Sequence, residues 1–271
     1  MAGVKPKKGL GQHFLTDLSV ARRIAATLDG WQGTPVLEIG PGMGVLTRFL
    51  IEDGHDVTVV ELDGESVAWL HQNMPQLPRE RVVEGDFLRM DLDALYPPQQ
   101  VPQFCVTGNY PYNISSQIFF RILDYKDRVA CCTGMLQREV AERLAAPPGT
   151  KARGILSVLL QAWYEVEYLF TVSENVFNPP PKVKSGVIRM TRRREVTDLG
   201  CDPALFRTVV KTAFGQRRKT LRNSLRGMLP PGAALPEDCQ LSGLRPEQLS
   251  VAQFVELTNI VNSLRQKGVQ P

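Results

Sequence analysis

Short apolar runs that end at turn signals alternate with amphipathic stretches through the first two-thirds of the chain, and this alternation narrows the fold. "TPVLEIG" (34–40), "DVTVVELD" (56–63), "RVVEGD" (81–86), "QFCVTGN" (103–109) and "RVACCTGMLQ" (128–137) read as strands. Helical patterns such as Val45 to Asp53 and Gly64 to Asn73 lie between them. Strands spaced in this way need crossover connections, so a parallel α/β sheet is expected. The pattern then changes. "YEVEYLFTVSE" (164–174) and "VKSGVIRMTRRR" (183–194) are separated by a proline-rich loop without a helix, which suits two antiparallel strands at the sheet edge. Seven strands result. From about residue 200 the strand signal disappears, and "PALFRTVVKTAF" places Phe206, Val209, Val210 and Ala213 at helical spacing. The chain therefore divides into an α/β domain over 1–195 and a small all-α domain over 200–271.

The first strand runs into "VLEIGPGMGVLT", with Gly40, Gly42 and Gly44 at alternate positions before a helix. Glycines let the backbone turn sharply and approach a ligand, and a helix start offers N–H donors. The dinucleotide fingerprint would need a glycine at 45 or 47, where Val45 and Thr47 stand. Both a nucleotide-like ligand and a plain tight turn remain open from the loop alone. Glu61 ends the second strand, where an acidic side chain can accept ribose hydroxyls, although a surface carboxylate reads the same way. Asp86 ends the third strand in "EGDF", fit to accept an adenine amino hydrogen or simply to cap a helix. Carboxyl ends of strands in one sheet open onto one crevice, so the three sites are mutually consistent.

Charge is uneven. From Lys182 to Arg226 there are thirteen Lys/Arg against three Asp/Glu, a local net of +10 in a chain of formal net +4, so the remainder carries about −6. An anionic polymer partner or a solvated face would each account for this. Five cysteines without a C-x-x-C pair and three histidines outside any H-E-x-x-H pattern indicate neither a disulfide framework nor metal chemistry. A reducing cytoplasm fits such cysteine usage. No run of about eighteen apolar residues and no signal-peptide h-region occur, so a soluble chain is expected.

These blocks, in this order, resemble the ribosomal RNA adenine N6,N6-dimethyltransferases, nearest to the bacterial branch acting on small-subunit (16S) RNA. "KKGLGQHFL" (7–15) is similar to the family's N-terminal motif, and "LEIGPGMGVLT", "VVELD" and "GDFL" to its cofactor motifs. "GNYPYNIS" matches the catalytic motif, "VFNPPPKVKSGVIRM" the loop and strand of the target-base pocket, and "AFGQRRKTLRNSL" the C-terminal domain. That last block separates this branch from the large-subunit resistance methyltransferases. Tyr110 stands where the family usually has leucine, a departure that touches the shape of the pocket rim.

The resemblance implies a class I methyltransferase (Rossmann-like) seven-stranded sheet, S-adenosylmethionine as methyl donor, no metal, a monomer, and ribosomal RNA of the small subunit or its precursor as partner. It implies that Gln12, His13 and Leu15 lie against the cofactor. Gly40 and Gly42 would line its methionine end, Glu61 its ribose and Asp86 its adenine, with Asn109 where cofactor and base meet. On this reading the Asn109 side-chain oxygen and the Pro111 carbonyl accept the two N6 hydrogens, drawing a poorly nucleophilic nitrogen toward pyramidal geometry. Tyr112 and Phe177 would stack on the base, which must leave any helical stack to react. Read as isolated residues, Tyr112 and Phe177 are core aromatics and Asn109 begins a turn. Arg217, Arg218, Lys219, Arg222 and Arg226 would grip phosphates, with Arg218 and Arg222 on one helical face, unless some pair with carboxylates instead. Two other readings compete. One is a non-catalytic RNA-binding assembly factor retaining the fold, and the other is a methyltransferase for DNA adenine or protein amide nitrogen.

Overall fold

The computed structural model describes residues 4–267. Nine strands occur among them: β1 (Phe14–Leu15), β2 (Val36–Ile39), β3 (Val57–Glu61), β4 (Val82–Glu84), β5 (Phe104–Gly108), β6 (Val129–Gln137), β7 (Tyr164–Val172), β8 (Phe177–Asn178) and β9 (Ser185–Arg192). Every residue of β2, β3 and β5 is buried, because helices cover both faces and leave no polar side for alternation to mark.

Seven strands make one sheet in the order β4-β3-β2-β5-β6-β9-β7. From β4 to β6 the neighbours pair parallel. β9 then runs antiparallel to β6, from Cys131↔Thr191 to Gln137↔Ser185. The seven expected strands are all present, and the fold is that of a class I methyltransferase. Sequence reading missed the two-stranded pair β1–β8, whose register is Phe14↔Asn178 and Leu15↔Phe177. Two-residue strands carry no periodicity by which to find them.

Strand order reverses at β2, where β3 lies on one side and β5 on the other. Such a switch point opens a crevice at the carboxyl ends of the strands. The helix Leu18–Ala25 begins at Asp17, whose side chain accepts from the Ser19 and Val20 N–H groups. Asp63 caps Gly64–Asn73 in the same manner through Glu65 N–H.

The chain forms two compact units, residues Met1–Glu142 with Val166–Arg192, and Arg143–Glu165 with Arg193–Pro271. The second unit thus takes in the helix Ile155–Gln161, which the sequence reading placed within the α/β domain. Its main helices are otherwise Pro203–Gly215 and Val251–Lys267. Phe206, Val209, Val210 and Ala213 are buried as their spacing required, and Phe214 stacks on Phe254 at 6.1 Å.

Candidate active site

A cavity of about 290 Å³ opens at the switch point of the first unit. Gln12, His13, Leu15, Gly40, Gly42, Glu61, Asp86, Asn109, Pro111 and Tyr112 all line it. These positions are scattered over a hundred residues of sequence, and the carboxyl edge of one sheet brings them together.

The glycine loop leaves β2 with Gly42 at φ 56°, a left-handed conformation that L side chains rarely adopt. A Cβ on Gly42 would also stand 2.8 Å from the Phe14 ring. The position therefore needs glycine for both its turn and its neighbour. Glu61 holds the loop from β3: one carboxylate oxygen accepts Gly42 N–H at 3.0 Å and the other accepts Asp63 N–H at 2.9 Å. Burial raises the Glu61 carboxyl above its ordinary range, against the pull of the Asp63, Gly42 and Leu62 N–H groups.

Glu38, within β2, also lines the cavity and is 1% exposed. Burial, reinforced by the neighbouring Glu61 carboxylate, pushes it up to about 8. The Thr47 hydroxyl lies near enough to oppose this, yet neither it nor Glu38 Oε2 reaches hydrogen-bond geometry with any partner. A buried, unpartnered carboxyl oxygen on the wall of a cavity is suited to a ligand's polar group. Asp86 accepts Leu88 N–H at 2.9 Å through one oxygen and lies 3.6 Å from Arg89 with the other, so it shapes its own turn at the rim. Leu62, 54% exposed, offers an apolar surface beside it.

The segment 7–15 straps across the cavity. Asp63 receives Lys7 Nζ at 2.5 Å and Gln12 Nε2 at 3.3 Å. Burial pushes Asp63 up, but Lys7, Gln12 and the Glu65 N–H outweigh it and hold the carboxyl below its usual value. At the other end, His13 Nδ1 lies 2.8 Å from the Pro179 carbonyl, and β1 pairs with β8.

Asn109 follows β5 and donates its side-chain Nδ2 to the His13 carbonyl at 2.9 Å. The Pro111 carbonyl accepts Ile114 N–H at 3.2 Å, a long bond that leaves a second lone pair. Tyr112 stacks against His13, with ring centroids 5.5 Å apart and planes at 30°, and its hydroxyl lies 2.6 Å from Ser185 Oγ.

Two expectations need correction. Phe177 does not line the cavity: paired with Leu15, it is 5% exposed and belongs to the apolar core, where the ring is better shielded from water. The ring facing Tyr112 is that of His13. Tyr110 does not project at the rim either. It is 1% exposed, donates to the Thr133 carbonyl at 2.7 Å and meets Phe119 edge-on. Gly134, at φ 152°, makes room for it, because a Cβ there would lie 2.4 Å from the Gly108 carbonyl and 2.7 Å from the Tyr110 ring.

The basic cluster belongs to the second unit. Helix Pro203–Gly215 ends before Arg218, which sits in a turn, so Arg218 and Arg222 do not share a helical face. Gln216 N–H to the Ala213 carbonyl at 3.2 Å and Lys219 N–H to the Gln216 carbonyl at 2.8 Å close that turn. Arg217 donates to the Lys151 carbonyl and lies 3.8 Å from Glu247, while Arg222 reaches Ser242 Oγ at 3.5 Å. Arg218, Lys219 and Arg226 are exposed. Among the described residues, no group of three or more His, Cys, Asp or Glu is placed to hold a metal ion, and no helix is long and apolar enough to cross a membrane.

Residues 3–263 match the family model of ribosomal RNA adenine dimethylases. The chain is 66% identical over 260 residues to the ribosomal RNA small subunit methyltransferase A of Parabacteroides distasonis, covering 95% of this chain and 94% of that one. It is 52% identical over 270 residues to the protein of the same name from Flavobacterium johnsoniae, over the full length of both. Among solved structures it resembles a dimethyladenosine transferase from Plasmodium falciparum in fold, with TM-score 0.74, 21% identity and coverage of 94% and 98%. It also resembles the 23S rRNA methyltransferase ErmE, with TM-score 0.67, 27% identity and coverage of 92% and 99%. Sequence match over nearly the whole length and the strand-end cavity agree: the chain belongs to the ribosomal RNA adenine dimethylase family.

Proposed function

We propose that this chain transfers methyl groups from S-adenosylmethionine to N6 of adenosines in small-subunit (16S) ribosomal RNA, giving N6,N6-dimethyladenosine in the cytoplasm. The observation that carries the reading is the convergence of the Asn109-Tyr110-Pro111-Tyr112 turn and the glycine loop on one cavity.

The residues fit the cofactor. Glu38 Oε2 is buried, unpartnered and suited to a ligand ammonium group, and Glu61 stands at the end of β3 for ribose hydroxyls. Asp86 and the exposed Leu62 form the rim for adenine, and the strap from Gln12 to Leu15 covers the site. When bound, S-adenosylmethionine supplies a methyl group already activated on a sulfonium.

The chain's own task is then positioning. With Asn109 Nδ2 committed to the His13 carbonyl, the amide is oriented so that Oδ1 remains the acceptor, with no protein partner of its own among the described residues. That oxygen and the second lone pair of the Pro111 carbonyl would take the two N6 hydrogens of the target. Such acceptors stabilise the positive charge that develops on nitrogen during transfer. Tyr112 supplies a stacking face, a contact worth about 1–3 kcal/mol per base in single-strand binding. Phe177 is left out of this assignment because its ring lies in the core. Arg218, Lys219 and Arg226 supply phosphate contacts from the second unit.

Incubation with labelled cofactor and immature small subunits should yield dimethyladenosine in the RNA. Ribosome binding without it, unchanged by Asn109→Ala, would favour the assembly-factor reading. Methylation of DNA or protein in place of RNA would overturn the choice of acceptor.

A further inference from the structure

We propose that Ser185 is a positioning residue that fixes the direction of the Tyr112 side chain and thereby, together with the His13 stack, the pose of the target base. The proposal rests on the adenosine methyl-transfer reading above.

Tyr112 sits on the turn after β5, where no ladder hydrogen bonds fix its direction. Ser185 is the first residue of β9 and is 0% exposed. Its backbone pairs with Gln137, the last residue of β6, so it is part of the rigid sheet. β6 lies between β5 and β9, and the Tyr112 phenol therefore reaches past the end of a whole strand to meet the Ser185 hydroxyl at 2.6 Å.

That bond is the one hydrogen bond of either hydroxyl among the described residues. A buried hydroxyl without a partner is costly, and an alanine would fill the same space without this cost. The polar group at 185 is thus accounted for by the phenol it meets. The phenol oxygen lies on the axis of the ring torsion, so this bond fixes where the side chain points and leaves the turn of the ring to its stacking contacts. The His13 ring, 5.5 Å away at 30°, restrains the face of Tyr112, and the Ser185 tether fixes the far end of the ring. Together they define a plane for a stacked purine, next to Asn109 and Pro111, which must hold its amino group.

The test is a cycle of Ser185→Ala, Tyr112→Phe and the double variant in the full chain, with S-adenosylmethionine and immature small subunits. Misplacement of a reacting group by about 1 Å can cost about 100-fold in rate, so each single variant should lose between about 10-fold and that limit in kcat. The double variant should be no slower than either single one. Cofactor Kd should stay within about twofold, since only differential transition-state contacts are lost. Ser185→Thr, which keeps the hydroxyl, should recover most of the rate. Wild-type kcat in Ser185→Ala or in Tyr112→Phe, or losses that multiply in the double variant, would overturn the proposal. Tyr112→Phe keeps the test open should Ser185→Ala fail to fold. A ring-carbon resonance of labelled tyrosine, assigned by Tyr112→Phe, should also shift in Ser185→Ala and return toward its wild-type position in Ser185→Thr, while the other tyrosines stay in place. Failure of the wild-type chain to make dimethyladenosine would count against the functional reading, whereas this resonance reports the tether alone.

Discussion

Asn109 and His13 are joined by a hydrogen bond of 2.9 Å from the side-chain Nδ2 of one to the backbone carbonyl of the other. A carbonyl can only accept, so the bond fixes which end of the amide faces it. The segment that covers the cavity therefore also aims the residue that would receive the substrate's amino hydrogens.

Asn109→Asp should separate these two roles from simple loss of the side chain. A carboxylate has no hydrogen to give the His13 carbonyl and repels it. Methyl transfer is expected to fall about 100- to 1,000-fold, the scale for losing one catalytic polar contact. Hydrogen exchange over residues 7–16 should quicken at the same time. Unchanged exchange would mean that the strap is held without Asn109.

Glu38 should make the cofactor-free protein less stable as pH rises. Its folded-state pKa of about 8 lies above the ordinary 4.5, so between those values the folded chain keeps a proton that the unfolded chain has lost. Stability attributable to it is full below about pH 4.5 and declines toward pH 8, by about 1.4 kcal/mol per unit at most. Glu61 shifts in the same direction, so the wild type should be compared with Glu38→Gln. The variant should show a flatter melting temperature between pH 5 and 8.

Tyr110 should matter to stability and not to catalysis. Tyr110→Phe removes the donor to the Thr133 carbonyl inside the core, a loss of about 1–3 kcal/mol. Gly134→Ala should cost more, beyond about 4 kcal/mol, because it combines an unfavourable φ with contacts to the Gly108 carbonyl and the Tyr110 ring. Denaturant unfolding measures both. In Tyr110→Phe the kcat should match the wild type.

The five basic residues of the second unit should not behave alike. Alanine at Arg218, Lys219 or Arg226 should each reduce the log–log salt slope of RNA binding by about 0.7 to 0.9. Arg217→Ala should instead lower the melting temperature, since Arg217 is engaged with the Lys151 carbonyl and Glu247. Equal slopes and equal stabilities across the series would contradict this division.

The succession of strands along the chain, the glycine loop, the acidic strand ends and the Asn109–Tyr112 turn were legible in the sequence. Each is written in neighbouring residues: apolar runs make buried strands, glycines allow a left-handed turn, and a strand's last residue lies at the sheet edge wherever the strand goes. Membership of one cavity followed from the parallel topology, which puts all carboxyl ends on one side.

Side-chain direction was not legible. Phe177 turned into the core and the Tyr110 ring into a slot beside Gly134, and no local pattern separates these aromatics from the half-buried Tyr112, which stacks on His13. The contacts that decide the site join residues far apart in the chain: Asn109 to His13 across 96 positions, Tyr112 to Ser185 across 73, and His13 to Pro179 across 166. The sequence determined which chemistry stands at the strand ends, because that depends on local backbone preference. The tertiary structure alone decided which side chains hold that chemistry in place, because a hydrogen bond or a buried ring takes its partner from whatever the folded sheet brings near.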